Sequence, residues 1–591
     1  MLVFGDAVRR EPVALKLARL RAALAAARAA PAAIWRHGLR VDALIEAGEL
    51  AQGIADARFA AAGRRDARWP DTAATMALTM AMARLCARSW QSGFTEAPAN
   101  EEAGEEALLA ACKATLPSID IEVKQPEGFA FYALYPEAFL AAAAPLRERP
   151  WRVIGLRSIG TTLAAMVATA LGDDAPLTLR PIGHPFDRRV AWDGGTLAMS
   201  GAHHAVVDEG PGLSGSSVAG VVRQLRAEGV PPDRIHLFPG HGNGPGAQAS
   251  AETRTLWASA PMHVAGFDEL ILRAAEPAHR LQSWVEAIVG PLASPLDEIT
   301  GGGWRGAHRV APAVQMPAHP WQERRKFLAR GSDGRTWLVK FAGLGHAARE
   351  RSACAEQLAA AGFSPAVAGL CHGFLVERWH AELAPLAPDR LGDPALRGRL
   401  IERLADYIAF RARSFAAPDE GGASLQVLHE AARHNGIEVL GNQGAAAWDR
   451  HGGDAARLQA RVRPVRTDNR MHAWEWLANL DRLRLLKTDA IDHHAGHDLV
   501  GCQDPAWDVA GAVAEFDLGS AECGRLVAGL ALRGCLIDAD LLRFCAPAYL
   551  GFQLGHFHLA AQDATAGPER ACLALHADRY AQRLQRLLAD G

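Results

Sequence analysis

Apolar residues recur at helical spacing from residue 13 to about 112: Leu15, Leu17, Leu20 and Leu24 form one stripe, and Met76, Leu78, Met80, Met82 and Leu85 a later block. A helical N-terminal module is predicted over 1–115. From about Leu116 the pattern changes to extended stretches, Ile119 to Val123 and Phe129 to Tyr135, followed by two strand-loop-helix units. In the first, Arg152 to Leu156 reads as a buried strand, Ser158 to Thr162 as a turn, and Leu163, Met166, Val167 and Leu171 as one helix face closed by Gly172. Leu177 to Ile182 reads as the next strand. In the second unit His204 to Val207 is the strand and Asp208 to Ser217 the loop, with Val218, Val221, Val222 and Leu225 on a helix and Ile235 to Phe238 a further strand. Such alternation predicts a parallel α/β sheet with ligands at the carboxyl ends of its strands.

Gly290 to Gly303 reads as a linker. Lys326 to Ala329 and Thr336 to Phe341 flank Gly331-Ser332-Asp333-Gly334, which is hairpin chemistry, and helical patterns dominate after Leu391. The predicted organisation is a helical module (1–115), a parallel-sheet α/β domain (116–285), a linker (286–320) and a bilobal α+β domain (321–591) with small lobe 321–380 and large lobe 381–591.

Length and charge narrow the function. A chain of 591 residues exceeds one core. With 63 basic against 66 acidic residues the net charge is −3, so no basic field exists to hold nucleic acid or anionic lipid. No apolar run is long enough for a membrane span. Nine scattered cysteines without a CxxC pair suit a reducing, cytoplasmic setting. The N-terminal helices are read as packing, with a cap or homodimer face as their functional alternative.

The sharpest motif is Ala205-Val206-Val207-Asp208-Glu209-Gly210-Pro211-Gly212-Leu213-Ser214-Gly215-Ser216-Ser217. A strand delivers two carboxylates to the sheet edge, and small residues then let the backbone N–H groups form an anion cradle at a helix start. Asp208 and Glu209 suit sugar hydroxyls or a magnesium shell, and the Ser214, Ser216 and Ser217 hydroxyls add donors. The stretch resembles the phosphoribosyl-diphosphate motif of type I phosphoribosyltransferases over roughly 116–270. The resemblance implies that Asp208 and Glu209 contact ribose and drive catalysis there, that Gly212, Ser214, Gly215, Ser216 and Ser217 cradle the 5-phosphate, and that Ser158, Gly160, Thr161 and Thr162 receive diphosphate. Arg180, with Arg188 and Arg189, would cover the diphosphate, and Arg157 or Arg180 would neutralise it as it leaves. His241 is either a substrate-loop residue or a solvated loop histidine.

The second constellation starts at Lys340 on the hairpin and Glu350 on the following helix, with Glu356 the competing partner: a cation that can hold nucleotide phosphates and a carboxylate that can orient it. Gly373 to Arg378, Val465-Arg466-Thr467-Asp468, Leu485 to Asp489 and Gly501-Cys502-Gln503-Asp504-Pro505-Ala506-Trp507-Asp508 together resemble aminoglycoside phosphotransferase-like kinases over about 321–591. This implies ATP and Mg2+ as cofactors, Asp468 as the catalytic aspartate, Asp489 as metal ligand with His472 or Glu475 in place of an absent asparagine, and Asp504 and Asp508 as buttresses. Arg466 stands where the family has histidine. The cluster Asp489, Asp492, His493, His494, His497 and Asp498 could alternatively be a metal site. The combined expectation is a bifunctional transferase acting on small molecules, joining phosphoribosyl transfer, with phosphoribosyl diphosphate as substrate, to ATP-dependent phosphorylation of a small molecule such as a nucleoside. The competing expectation is a ribose-phosphate sensor with an inactive kinase-like domain.

Overall fold

The computed structural model describes residues 1–590 other than 6–7, 32, 96–100, 312–315, 321, 388–390, 418–420, 443–444, 446–447, 450–454 and 480–483. Strand β1 (Val8–Pro12) leads into helices α1 (Val13–Ala29), α2 (Ile34–Ala61), α3 (Pro70–Gln91) and α4 (Glu101–Thr115), and pairs antiparallel with β2 (Asp120–Lys124). Helix α2 is buried on almost every face, as expected of a helix at the centre of a core. The stretch expected to be extended from Phe129 to Tyr135 is instead helix α5 (Glu127–Phe131) and a loop into α6 (Pro136–Ala143). A short apolar run does not distinguish strand from buried helix, and Pro126 and Pro136 confine it to single helical pieces.

The α/β region follows as β3 (Trp151–Leu156), α7 (Gly160–Leu171), β4 (Leu177–Leu179), β5 (Ile182–His184), β6 (Asp187–Arg189), β7 (His203–Val207), α8 (Ser216–Ala227), β8 (Ile235–Phe238) and α9 (Ala251–Ser259). Its four-stranded sheet has the order β4-β3-β7-β8 with every pairing parallel. Alternation along β7 assigns the two faces: Ala205 and Val207 join the core under α7 and the N-terminal helices, while Val206 joins the core under α8. The single strand expected over Leu177 to Ile182 is broken, and β5 turns into a hairpin with β6. Gly172 ends α7 at φ 83°, the left-handed cap its position implied.

Helix α10 (Leu281–Val289) precedes β9 (Asp297–Glu298) and the short α11 (Trp304–Ala307). Residues expected to be linker thus supply β9, which extends an antiparallel sheet with β10 (Lys326–Arg330), β11 (Thr336–Phe341), β12 (Val367–Cys371) and β13 (Phe374–Arg378) in the order β12-β13-β11-β10-β9. Helix α12 (Gly345–Ala360) lies between β11 and β12. The C-terminal lobe contains α13 (Pro394–Ser414), α14 (Leu425–Leu440), α15 (Ala455–Gln459), α16 (Pro505–Phe516), α17 (Ser520–Leu532), α18 (Ala539–Asp563) and α19 (Pro568–Asp590) around the small sheet β14 (Ala384–Pro385), β15 (Trp476–Asn479) and β16 (Arg484–Lys487). The two lobes do not stand apart from the rest of the chain. Phe327, Val339, Phe341, Phe374 and Val376 belong to the same core as α2, α3 and α7, and Val3 enters the core of the C-terminal lobe. No helix among the described residues is long and apolar enough to cross a membrane.

Candidate active sites

At the carboxyl end of β7, Asp208 and Glu209 emerge beside the loop into α8, and both retain some exposure. No cation pairs with either carboxylate among the described residues. Burial pushes the Asp208 carboxyl up to about 7, against the Glu209 N–H that donates to it at 2.8 Å and the nearby charge of Arg180. Burial likewise lifts Glu209 to about 8, reinforced by Glu127 and Asp208 and opposed by the Gly128 N–H. No partner among the described residues occupies the N–H groups of Leu213, Ser214 and Ser217, which surround the start of α8. Gly212 at φ 55° and Gly215 at φ 60° supply the two left-handed turns that the cradle requires. Ser216 is not available, because its hydroxyl donates to the Pro185 carbonyl of the β5–β6 hairpin at 2.6 Å. His241 packs against Gly210, where an added Cβ would lie 2.8 Å from its Nε2.

The expected diphosphate loop is placed differently. Only Ser158 is partly exposed; Gly160, Thr161 and Thr162 are buried, and Thr162 Oγ1 fills the space left by Gly48 of α2. Gly160 brings α7 against β7, 2.9 Å from the Val207 carbonyl for an added Cβ, so this glycine serves packing. Arg157 and Arg180 are committed to the helical module. Arg157 donates to Asp56 at 2.9 Å and Asp66 at 2.6 Å, and Arg180 Nε donates to Asp56 at 2.9 Å. Arg188 donates to the Gly183 carbonyl at 3.0 Å, leaving Arg189 as the exposed arginine of the hairpin.

The second site is a cleft between the β9–β13 sheet and the C-terminal lobe, walled by Lys340, Glu377, Trp379, Arg470, Lys487 and Asp489, among others. Lys340 projects from β11 and pairs with Asp489, not with Glu350. Glu350 is instead taken by Arg466 at 3.2 Å and His346 at 3.4 Å, which hold its carboxyl down at about 2. Arg466, at the position where histidine was expected, and His346, on the same helix as Glu350, supply the partners that Lys340 does not. Glu377, on the same cleft wall, is lifted by burial to about 7 despite the Lys340 charge.

Asp468 is fully enclosed and does not face the cleft. Its carboxylate accepts from the Tyr407 hydroxyl, lies 3.2 Å from His493 Nδ1 and 3.3 Å from Lys487 Nζ. Burial favours its neutral form, but Lys487, His493 and Arg411 hold it well below the usual carboxylate range. The same arrangement makes His493 a cation: burial opposes its charge, yet hydrogen bonds to Asp468 and Asp489 raise it to about 9. Lys487 also donates to Glu475 at 2.7 Å, so its ammonium bridges Asp468 and the carboxylate that precedes β15. The sequence motif singled out Asp489 and passed over Lys487, whose only signal is a charge at the buried end of an apolar strand. Asp508 behaves as the buttress expected of it, accepting the Asp468 N–H at 2.9 Å and the Asn469 N–H at 3.0 Å. Asp504 caps α16 by accepting the Ala506 N–H at 2.9 Å.

Ligand atoms of Asp489, Asp492 and His493 lie within 4.8 Å of one another. The two carboxylates fit a hard divalent cation such as Mg2+, and Asp489 is open to the cleft, whereas the protonated His493 is a hydrogen-bond donor there. His472, expected as a ligand, directs Nδ1 to Glu475 at 3.3 Å and joins no such group among the described residues. The two sites share a wall. Gly128 of α5 receives Glu209, while its neighbour Glu127 lies 3.1 Å from His497 on the cleft, and the Tyr132 hydroxyl meets His497 at 2.7 Å.

Neither a protein-family model nor a curated protein matches the chain. Among solved structures it is similar to the choline kinase LicA from Streptococcus pneumoniae (13% identity, 47% of this chain and 93% of that chain, TM-score 0.34). It is similar also to a choline/ethanolamine kinase family protein from Mesorhizobium loti (15%, 52% and 98%, 0.33) and to the macrolide 2'-phosphotransferase MphH from Brachybacterium faecium (16%, 51% and 95%, 0.31).

Proposed function

We propose that the chain is a small-molecule phosphotransferase whose reaction takes place in the cleft between the two lobes. The observation that carries this reading is the meeting of Lys340 and Asp489 across the cleft, above a loop whose backbone is held by Asp508. Lys340, released from Asp489, is the cation for the nucleotide phosphates. Asp489 and Asp492 would hold Mg2+, which neutralises phosphate charge and orients the transferring group. His493 donates from the cleft floor with its charge sustained by Asp468. Asp468 therefore acts through His493 in this arrangement and is a positioning residue.

The test is ADP release from ATP and Mg2+ across a panel of hydroxylated small molecules. Lys340→Met and Asp489→Ala should each lower turnover by roughly 100-fold or more, the scale of losing a major electrostatic contact in the transition state. A specific observation favours a second reading, nucleotide binding without transfer: Glu350 pairs with Arg466 and Lys340 with Asp489, so the expected Lys340–Glu350 pair is absent among the described residues. Saturable nucleotide binding with no ADP released by any acceptor would select it.

The β7 edge is read as a ribose-phosphate site, with Asp208 and Glu209 for the sugar hydroxyls and the free N–H groups of 213, 214 and 217 for the phosphate. Burial of Thr161 and Thr162 and the pairing of Arg157 and Arg180 remove the groups expected to receive a departing diphosphate. Binding, more than phosphoribosyl transfer, is what this edge supports.

A further inference from the structure

A second crevice opens behind the segment that joins the two lobes. It has a volume of about 440 Å³, within the range of small-molecule sites, and is bounded by Arg378, His380, Arg399, Arg403, Arg484 and Ser364. Among the described residues, no carboxylate lines it. Of the nearby acids, Glu402 and Asp406 pair with Arg533 at 2.8 and 2.6 Å, and Glu382 sits on the rim of the crevice, paired with His380 at 2.8 Å. Among the described residues, Arg378 and Arg403 donate only to backbone carbonyls, and they lie over the rings of Trp337 and Phe363, contacts that orient a guanidinium without cancelling its charge. Arg399 has no partner among the described residues. Arg484 approaches Glu382 only at 3.6 Å, on the exposed rim.

Ser364 supplies an independent observation. It is 7% exposed, and its hydroxyl has no hydrogen-bond partner. A buried hydroxyl left unpaired is costly, so a ligand oxygen that pairs with it stabilises the assembly. Ser364, Arg378 and His380 line the cleft as well as the crevice, so the two cavities adjoin at these residues.

The geometry points to a separate binding site behind the lobe junction for a small polyanion carrying two or more phosphate groups, held by Arg378, Arg399 and Arg403 with the Ser364 hydroxyl as donor. Guanidinium forks match phosphate oxygens in pairs, and a single phosphate would leave most of the crevice empty. The proposal is independent of the reaction assigned to the cleft.

The probe is inorganic pyrophosphate, titrated calorimetrically at fixed ionic strength into full-length Lys340→Met protein, in which the cleft has lost its phosphate-holding cation. Saturable binding is expected. It should weaken at least 10-fold in Arg399→Glu, an exposed position whose change leaves the melting temperature unaltered, and severalfold in Ser364→Ala. Adding Arg403→Ala to Arg399→Ala should abolish it. Absence of saturable binding in the Lys340→Met parent, or binding as tight in Arg399→Glu as in that parent, would overturn the proposal.

Discussion

The carboxylates at the end of β7 and those in and beneath the cleft are both largely withdrawn from water, yet they sit on opposite sides of the ordinary range. Asp208 and Glu209 have no paired cation and rise to about 7 and 8. Asp468, Asp489 and Asp492 face Lys487, Lys340, Arg324, Arg351 and the charged His493, and lie well below it. Burial acts the same way in both regions, so the difference comes from the partners each site already holds. The β7 edge holds no competing cation among the described residues, and a cation bound there displaces only the protons these carboxyls carry near neutral pH. The cleft is internally neutralised, and a nucleotide must compete with Asp489 for Lys340.

This contrast predicts unequal responses to mutation. The largest should follow Lys487→Met, which leaves Asp468 and Glu475 buried without their shared cation. Breaking such a cluster from one side typically costs about 3–5 kcal/mol, read as a lower thermal midpoint, whereas Asp208→Asn should leave that midpoint unchanged or raise it. A Lys487→Met midpoint equal to wild type would erase the distinction. Next in size, Asp208→Ala should weaken binding of ribose 5-phosphate at least 10-fold while leaving nucleotide affinity in the cleft unaltered. Equal affinity in the variant would remove the sugar-binding role of the acid pair.

The smallest effect is on pH dependence. At Asp208 and Glu209 the folded protein holds protons that the unfolded chain releases near 3.8 and 4.5, so their contribution to stability falls as pH rises from about 4 through 7 to 8 and is constant above. The cleft carboxylates have the opposite sign: their contribution is present above the unfolded value and is lost as pH falls below about 4. Asp208→Asn combined with Glu209→Gln should flatten the profile between pH 5 and 8 and leave the acid limb intact. Thermal melts across that range would show it.

Much of the local structure was legible because local chemistry decides it. The alternation at His204 to Val207, the glycines after Glu209 and the helical spacing from Val218 place β7, the cradle and α8 close to where they lie. The Gly-Ser-Asp-Gly turn places β10 against β11, and the Asp-Pro segment starts α16 with Asp504 as its cap. The errors fall where an apolar or functional-looking run has a distant neighbour. Thr161 and Thr162 read as a ligand loop until α2 covers them, and Phe129 to Tyr135 read as extended until prolines and packing turn it into α5 and a loop.

By itself the order of residues determined the strand-loop-helix units, the hairpin carrying Lys340 and the capped start of α16, since each depends on side chains a few positions apart. Tertiary structure alone decided the charge partners: Lys340 with Asp489 across 149 positions, Glu350 with Arg466 across 116, and Arg180 with Asp56 across 124. It also merged the small lobe into the N-terminal core. Coulomb attraction and burial depend on distance in space, and spacing along a chain does not encode that distance once several helices and two sheets have packed between the partners.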